Sequence, residues 1–265
     1  MIGCGDNQTV APARLAYEAG AVEPLACVPN LDGKIEAKEI QPAIDVPVSY
    51  LVSAAGQNRP INLVPIVDPQ GRNAWDLTGA GGDKVLRIAA SALAGKWYQA
   101  SFPAQSFVAP FDAAGRIEGI YTQSAEAIAL VGLASKEENA PEGKTLLVYG
   151  APVVLYRLPV QVGQAYISTG QVRDATLRGQ PYAGKDTYDV KVDAAGRVAL
   201  PDLTFTQAIR VKTKVTLEPV AGRTIVRRQT SFLFECFGEV ARATSLDDEP
   251  NEDFSVASEV RRLGL

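Results

Sequence analysis

No histidine occurs anywhere in this chain. That absence excludes imidazole acid–base work, Ser-His-Asp and Cys-His catalysis, and histidine-ligated zinc within the sequence. An enzyme built from these residues would have to rely on carboxylates, lysine, tyrosine or a Ser-Lys pair. Cysteine is scarce: Cys4, Cys27 and Cys236 share no C-x-x-C spacing, so they do not form a metal set. No apolar run approaches the roughly 18 residues needed to cross a bilayer as a helix. Nor is there an excess of positive charge; a net charge of −4 argues against a dedicated nucleic-acid binder.

What is present is an ordinary globular composition, 46% apolar and 21% charged. A chain of 265 residues can bury a good core, as one large domain or two smaller ones. The clearest pattern is alternation with a period of two. In residues 209–217, Ile209, Val211, Val215 and Leu217 fall on one face and Arg210, Lys212, Lys214 and Thr216 on the other. Similar strand-like runs occur at 46–52, 61–67, 127–133, 145–149, 153–158, 165–169, 188–192, 198–200 and 224–237. The predicted fold is mainly β, an antiparallel sandwich or a strongly curved sheet with one or two short helices.

Turn chemistry divides these runs. Asp followed by Gly and Arg recurs at 68–72, 112–116 and 193–197, and each suits a type I turn with a left-handed glycine, which predicts three hairpins. Residues 83–95 are the best helix candidate, with Val85, Ile88, Ala89, Ala92 and Leu93 as a stripe, although their opening could also be strand. The aromatic cluster at 97–111 reads as core or as the lining of a binding groove. The polar stretch 135–143 is the expected domain boundary. The division is therefore an N-terminal segment and tether at 1–26, a β-rich region at 27–140, an antiparallel β domain at 141–244, and an acidic mobile tail at 245–265.

Three resemblances bear on function. Ile2-Gly3-Cys4 resembles the end of a bacterial lipobox, which implies Cys4 as the lipidated first residue of a mature envelope protein. Such a protein would sit in an oxidising compartment, on the periplasmic or cell-surface side of the outer membrane, where Cys27 and Cys236 could pair. Closing so long a loop would stabilise by about 5 kcal/mol in the loop-entropy view, and the alternative is a free buried thiol at Cys236.

Residues 28–39 resemble an EF-hand or dockerin loop. Asn30, Asp32 and Glu39 would be the ligands of a weak calcium site, with Gly33 and Ile35 also in register, but Val28 stands where the first aspartate belongs. The competing account is an Asp-Gly turn leading into a short helix over 35–40. Residues 156–163, 192–201 and 209–212 resemble a β domain of secreted proteins from gliding bacteria, which implies fold and export but no mechanism.

Three function classes follow. The first is a non-catalytic, lipid-anchored envelope protein acting as a binding or scaffold module, held to the membrane by its lipid and meeting an envelope protein or glycan. Arg210, Lys212 and Lys214, joined by Arg227 and Arg228, would be its face for anionic ligands, unless they serve only to keep a sheet face soluble. The second is a hydrolase of envelope polymers using two carboxylates. The third is a carrier of an apolar ligand in a curved sheet, with Phe232, Phe234 and the 97–111 aromatics around a cavity. No cofactor is expected apart from the weak calcium site.

Overall fold

A computed structural model describes residues 26–54, 56–79, 81–112 and 114–264. Cys4 and the tether lie outside the described residues. The first strands are β1 (Lys34–Ile35), β2 (Val48–Val52), β3 (Arg59–Pro60), β4 (Ile66–Val67), β5 (Asn73–Asp76), β6 (Lys84–Ile88) and β7 (Ser91–Ala92). The middle of the chain forms β8 (Phe107–Pro110), β9 (Ile117–Gln123), β10 (Ala127–Ser135), β11 (Leu146–Arg157), β12 (Val160–Gln161) and β13 (Ala165–Leu177). The longest strands come last: β14 (Gln180–Ala199), β15 (Thr204–Pro219), β16 (Ile225–Phe234), β17 (Gly238–Ser245) and β18 (Val256–Leu263). The helical elements among the described residues are two 3-10 turns, Ala37–Glu39 and Gln99–Ser101.

The protein is mainly β, as its alternating pattern predicts. Its main sheet follows the order β6-β2-β18-β17-β16-β15-β14-β13-β11-β10-β9-β8-β7. The two ends of that path, β6 and β7, are consecutive in the chain and separated only by Ala89 and Ala90. Three Cα steps reach at most roughly 11 Å, so the sheet has to curl round until its first and last strands meet. Asp45 N–H donates to Ala90 O (2.7 Å) at this seam. The curved sheet is the form taken, with a barrel-like wall. Eight strands make a barrel whose side chains just fill it; a wall of this many strands keeps space inside.

Alternation then gives the wall two buried faces. Inward lie Leu130, Leu147, Tyr149, Val153, Tyr188, Val190, Ile209, Val211 and Leu233. Outward, Phe205, Ala208, Phe232, Phe234, Ala241, Val260 and Leu263 are covered by Leu63, Trp75 and Leu77 from the excursion that carries β3, β4 and β5. A second outer cover packs Leu93, Tyr98 and Phe102 over Val108, Ile120, Val131 and Ala134. Phe232, Leu233 and Phe234 show the rule: neighbours in sequence, they face outer core, inner core and outer core in turn.

Several expectations are corrected. Residues 83–95 form no helix. Val85 and Leu86 pair with Leu51 and Tyr50 of β2, because the alanines of the helical stripe bury too little to outweigh closure of the sheet. The 68–72 and 112–116 turns do connect β4 to β5 and β8 to β9. The 193–197 segment instead runs through β14 with bulges. Gly196 is needed there for close approach: a Cβ would stand 2.2 Å from Asn73 O of the parallel neighbour β5. The 135–143 stretch is the loop between the paired strands β10 and β11.

The expected acidic tail carries a strand of the main sheet. Its residues 256–263 are β18, seated between β17 and β2, with Ala257, Val260 and Leu263 buried. Charge in 247–253 masked the apolar positions that follow it.

Candidate ligand site in the lumen

The curled wall surrounds a cavity of about 1270 Å³, larger than the roughly 300–1,000 Å³ usual for small-molecule sites. Apolar and aromatic side chains make most of its lining, including Phe107, Phe111, Leu133, Leu147, Leu155, Val215 and Leu217, and six tyrosines join them: Tyr50, Tyr121, Tyr149, Tyr156, Tyr182 and Tyr188. Three strand glycines make room for three of these rings. A Cβ on Gly119 would stand 2.3 Å from the Tyr121 hydroxyl, one on Gly170 would stand 2.5 Å from Tyr149 Cδ1, and one on Gly184 would stand 2.8 Å from the Tyr182 hydroxyl. A glycine inside a strand marks such close approach.

A belt of charge crosses this lining. Arg242 lies 3.5 Å from Glu239 and 3.7 Å from Glu259, and Arg261 donates to Glu259 at 3.1 Å. Ser231 Oγ donates to Glu239 Oε2 at 2.8 Å, and Tyr156, from β11 on the far side of the wall, reaches the same oxygen at 3.4 Å. Tyr50 donates to the backbone oxygen of Glu239 at 2.9 Å. Burial lowers the Arg261 guanidinium, and the like charge of Arg242 adds to that. Burial pulls Arg242 the same way, but Glu239 and Glu259 outweigh it and raise the group. Desolvation pushes the Tyr50 and Tyr121 hydroxyls up to about 12, so both stay protonated donors at neutral pH.

A different polar group stands apart from the belt. Asp186, 5% exposed, accepts a hydrogen bond from the Tyr149 hydroxyl at 2.5 Å through Oδ2. Its Oδ1 is buried with no hydrogen-bond partner, and the residue enters no ion pair among the described residues. Burial pushes its carboxyl above the usual carboxylate range, and the Tyr149 bond offsets part of that.

One end of the lumen is covered by the segment 27–43. β1 pairs with β12, Gln123 Nε2 of β9 donates to Ala37 O at 2.8 Å, and Cys236 N–H donates to Glu39 O at 2.7 Å. A segment touching three separate points of one rim spans that end. Ile35 plugs the inner core, and Cys27 is disulfide-bonded to Cys236 in the tight connection between β16 and β17.

The residues of the calcium expectation lie in this lid. Asn30, Asp32 and Glu39 do come together, and their oxygens accept hydrogen bonds within the lid. Asn30 Oδ1 accepts from Asp32 N–H, Asp32 Oδ1 from Lys34 N–H, and the two Glu39 oxygens from Asn30 Nδ2 and Glu36 N–H. Glu235, absent from the sequence motif, accepts the Asn30 and Leu31 N–H groups at 2.6 and 2.8 Å. No group of three or more carboxylate or cysteine ligands that could hold a metal occurs among the described residues. The turn is the part of the motif that folds.

The expected anionic-ligand face is corrected as well. Arg210 is buried against Trp75, forks onto Asp193 at 2.9 and 2.6 Å, and donates to Leu63 O and Asp253. Lys212 meets Asp253 at 2.8 Å and Asp193 at 3.4 Å. Only Lys214 is exposed on that face. Both outer covers of the wall were invisible to strand periodicity, which is why a buried arginine read as a wet one. Arg227 and Arg228 lie instead at the uncovered mouth, with Arg116 and Arg178. Arg227 pairs with Asp247, and Arg228 donates to the Glu249 and Pro250 carbonyls.

Phe232 and Phe234 face the outer core, and Trp97, Tyr98 and Phe102 belong to the second cover. Of the 97–111 aromatics, Phe107 and Phe111 reach the cavity. The tyrosines of the lumen were missed because they are scattered along the chain; strand-interior glycines at 119, 170 and 184 were the available signal. Neither a protein-family model, nor a curated protein, nor a solved structure matches the chain.

Proposed function

We propose that this protein binds a small amphipathic molecule inside the lumen of its curved sheet and acts as a carrier or receptor for it. The observation that carries this is the cavity of about 1270 Å³, lined by Phe107, Phe111, Leu133, Leu147 and Val215 on the apolar side and by the Glu239–Arg242–Glu259–Arg261 belt on the polar side. An apolar body would be desolvated against the former, contributing about 25 cal/mol per Å² of apolar surface, and a polar group would find fixed donors and acceptors in the latter. A protein that kept such a volume for no ligand would forgo packing contacts worth several kcal/mol. An envelope location goes with this proposal; its support is the Cys27–Cys236 disulfide, a bond that persists in oxidising compartments.

Fluorescence titration with N-phenyl-1-naphthylamine tests the proposal. Saturable binding near one dye per chain is expected, weakened at least tenfold in Val215→Trp, where the indole fills the wall of the lumen. Absence of saturation, or equal binding by the variant, would overturn it.

A further inference from the structure

Two buried acids of the lumen lie outside the belt: Glu39, whose oxygens accept from Asn30 Nδ2 and Glu36 N–H in the lid, and Asp186. The neighbours of Asp186 are chosen by strand geometry. Gly170 of β13 lies directly opposite Asp186 of β14, and the missing side chain lets the Tyr149 ring from β11 pass over β13 so that its hydroxyl meets Oδ2 at 2.5 Å. Tyr188 follows two residues on, hence on the same face, and Tyr182 precedes it over the clearing made by Gly184. All four residues line the cavity. Together they place a carboxylate among three aromatic rings with no lysine or arginine paired to it.

We infer that Asp186 and Tyr149, Tyr182 and Tyr188 seat an organic cation, an amine or quaternary ammonium group carried by the lumenal ligand; this rests on the lumenal binding proposed above. Ring faces attract cations through their quadrupole, most strongly once desolvated. A buried carboxylate with one neutral hydrogen-bond donor and no opposite charge is costly, and a ligand cation offsets that cost. Burial holds the Asp186 carboxyl above its usual range, and a cation beside it would draw it back to the ionised form. The rival seat, for an anion, would be Arg242 and Arg261, but both already face Glu239 or Glu259, which would repel an incoming anion.

Isothermal titration of the full chain with octyltrimethylammonium, 1-octanol and octyl sulfate, all below micellar concentration, tests this. Wild type is expected to bind the ammonium at least about tenfold tighter than octanol and to bind the sulfate worst. Asp186→Asn is expected to bring the ammonium down to the level of octanol and to leave octanol unchanged. Wild type binding octanol as tightly as the ammonium would overturn the cation seat while leaving the lumen intact as a binding site. Failure of all three to bind would overturn both. Preference for the ammonium surviving in Asp186→Asn would place the cation elsewhere and overturn the assignment. Should that variant fold poorly, the ranking of the three probes on wild type still decides.

Discussion

Two clusters of buried charge, one on each face of the same wall, have opposite characters. Outside, Arg210 is satisfied by Asp193, Asp253 and a backbone carbonyl, with Lys212 completing the set. Inside, Asp186 keeps a buried oxygen without a partner, while Arg261 Nε makes no hydrogen bond and Arg242 Nε meets Glu239 only as an ion pair at 3.5 Å. The first arrangement is closed on itself and holds the cover onto the sheet. The second is incomplete and faces a cavity. Buried polar groups are normally paired, so the unfinished set is where a ligand is to be sought, and the finished one explains stability.

Breaking each set sharpens the contrast. The largest effect belongs to the closed cluster. Arg210→Ala would leave Asp193 and Asp253 facing Lys212 alone and is expected to cost about 3–5 kcal/mol in urea unfolding, with no change in ligand preference. Next comes the lid. Replacing both Cys27 and Cys236 by serine releases a link between residues 209 apart and is expected to cost up to about 5 kcal/mol by the loop-entropy estimate. Hydrogen exchange should rise first in 27–43; unchanged protection there would show that β1 and Glu235 hold the lid unaided.

Gly170→Ala comes third. The new methyl would meet the Tyr149 ring, and overpacking of that kind costs about 1–3 kcal/mol, read as a lower midpoint together with loss of the Asp186 hydrogen bond. Asp186 itself has a signature in pH. Its folded pKa is raised, so the neutral form favours the folded state below the unfolded value of about 3.9, and that advantage is lost as pH rises through the raised value. Asp186→Asn, neutral throughout, should therefore gain on wild type as pH rises above the unfolded value of about 3.9 in thermal melts. A constant difference as pH rises would mean Asp186 titrates normally. The smallest effect is expected at exposed Lys214, where alanine should stay within about 0.5 kcal/mol.

The same contrast explains what the sequence disclosed. Period-two alternation in 209–217 gave the β class and the position of β15, and the turn residues at 68–72 and 112–116 gave two hairpins, because both signals are local. The Cys27–Cys236 pair followed from the expected compartment, not from geometry. The lumen was not legible. Its tyrosines at 50, 121, 149, 156, 182 and 188 come from six separate places, and only closure of β6 onto β7 brings them together. Arg210 was misplaced for the same reason: alternation says which side chains share a face, not whether another segment covers it. β18 was hidden because its buried arginines, Arg261 and Arg262, look like surface residues in a charged tail.

The most direct measurement is a tyrosine-selective NMR titration of the labelled protein with octyltrimethylammonium. Lumenal binding predicts that the ring signals of Tyr121, Tyr149, Tyr156 and Tyr188 move together and saturate, while Tyr98, packed under the outer cover, stays still. Movement of Tyr98 without the others, or no movement among the lumenal four, would contradict it.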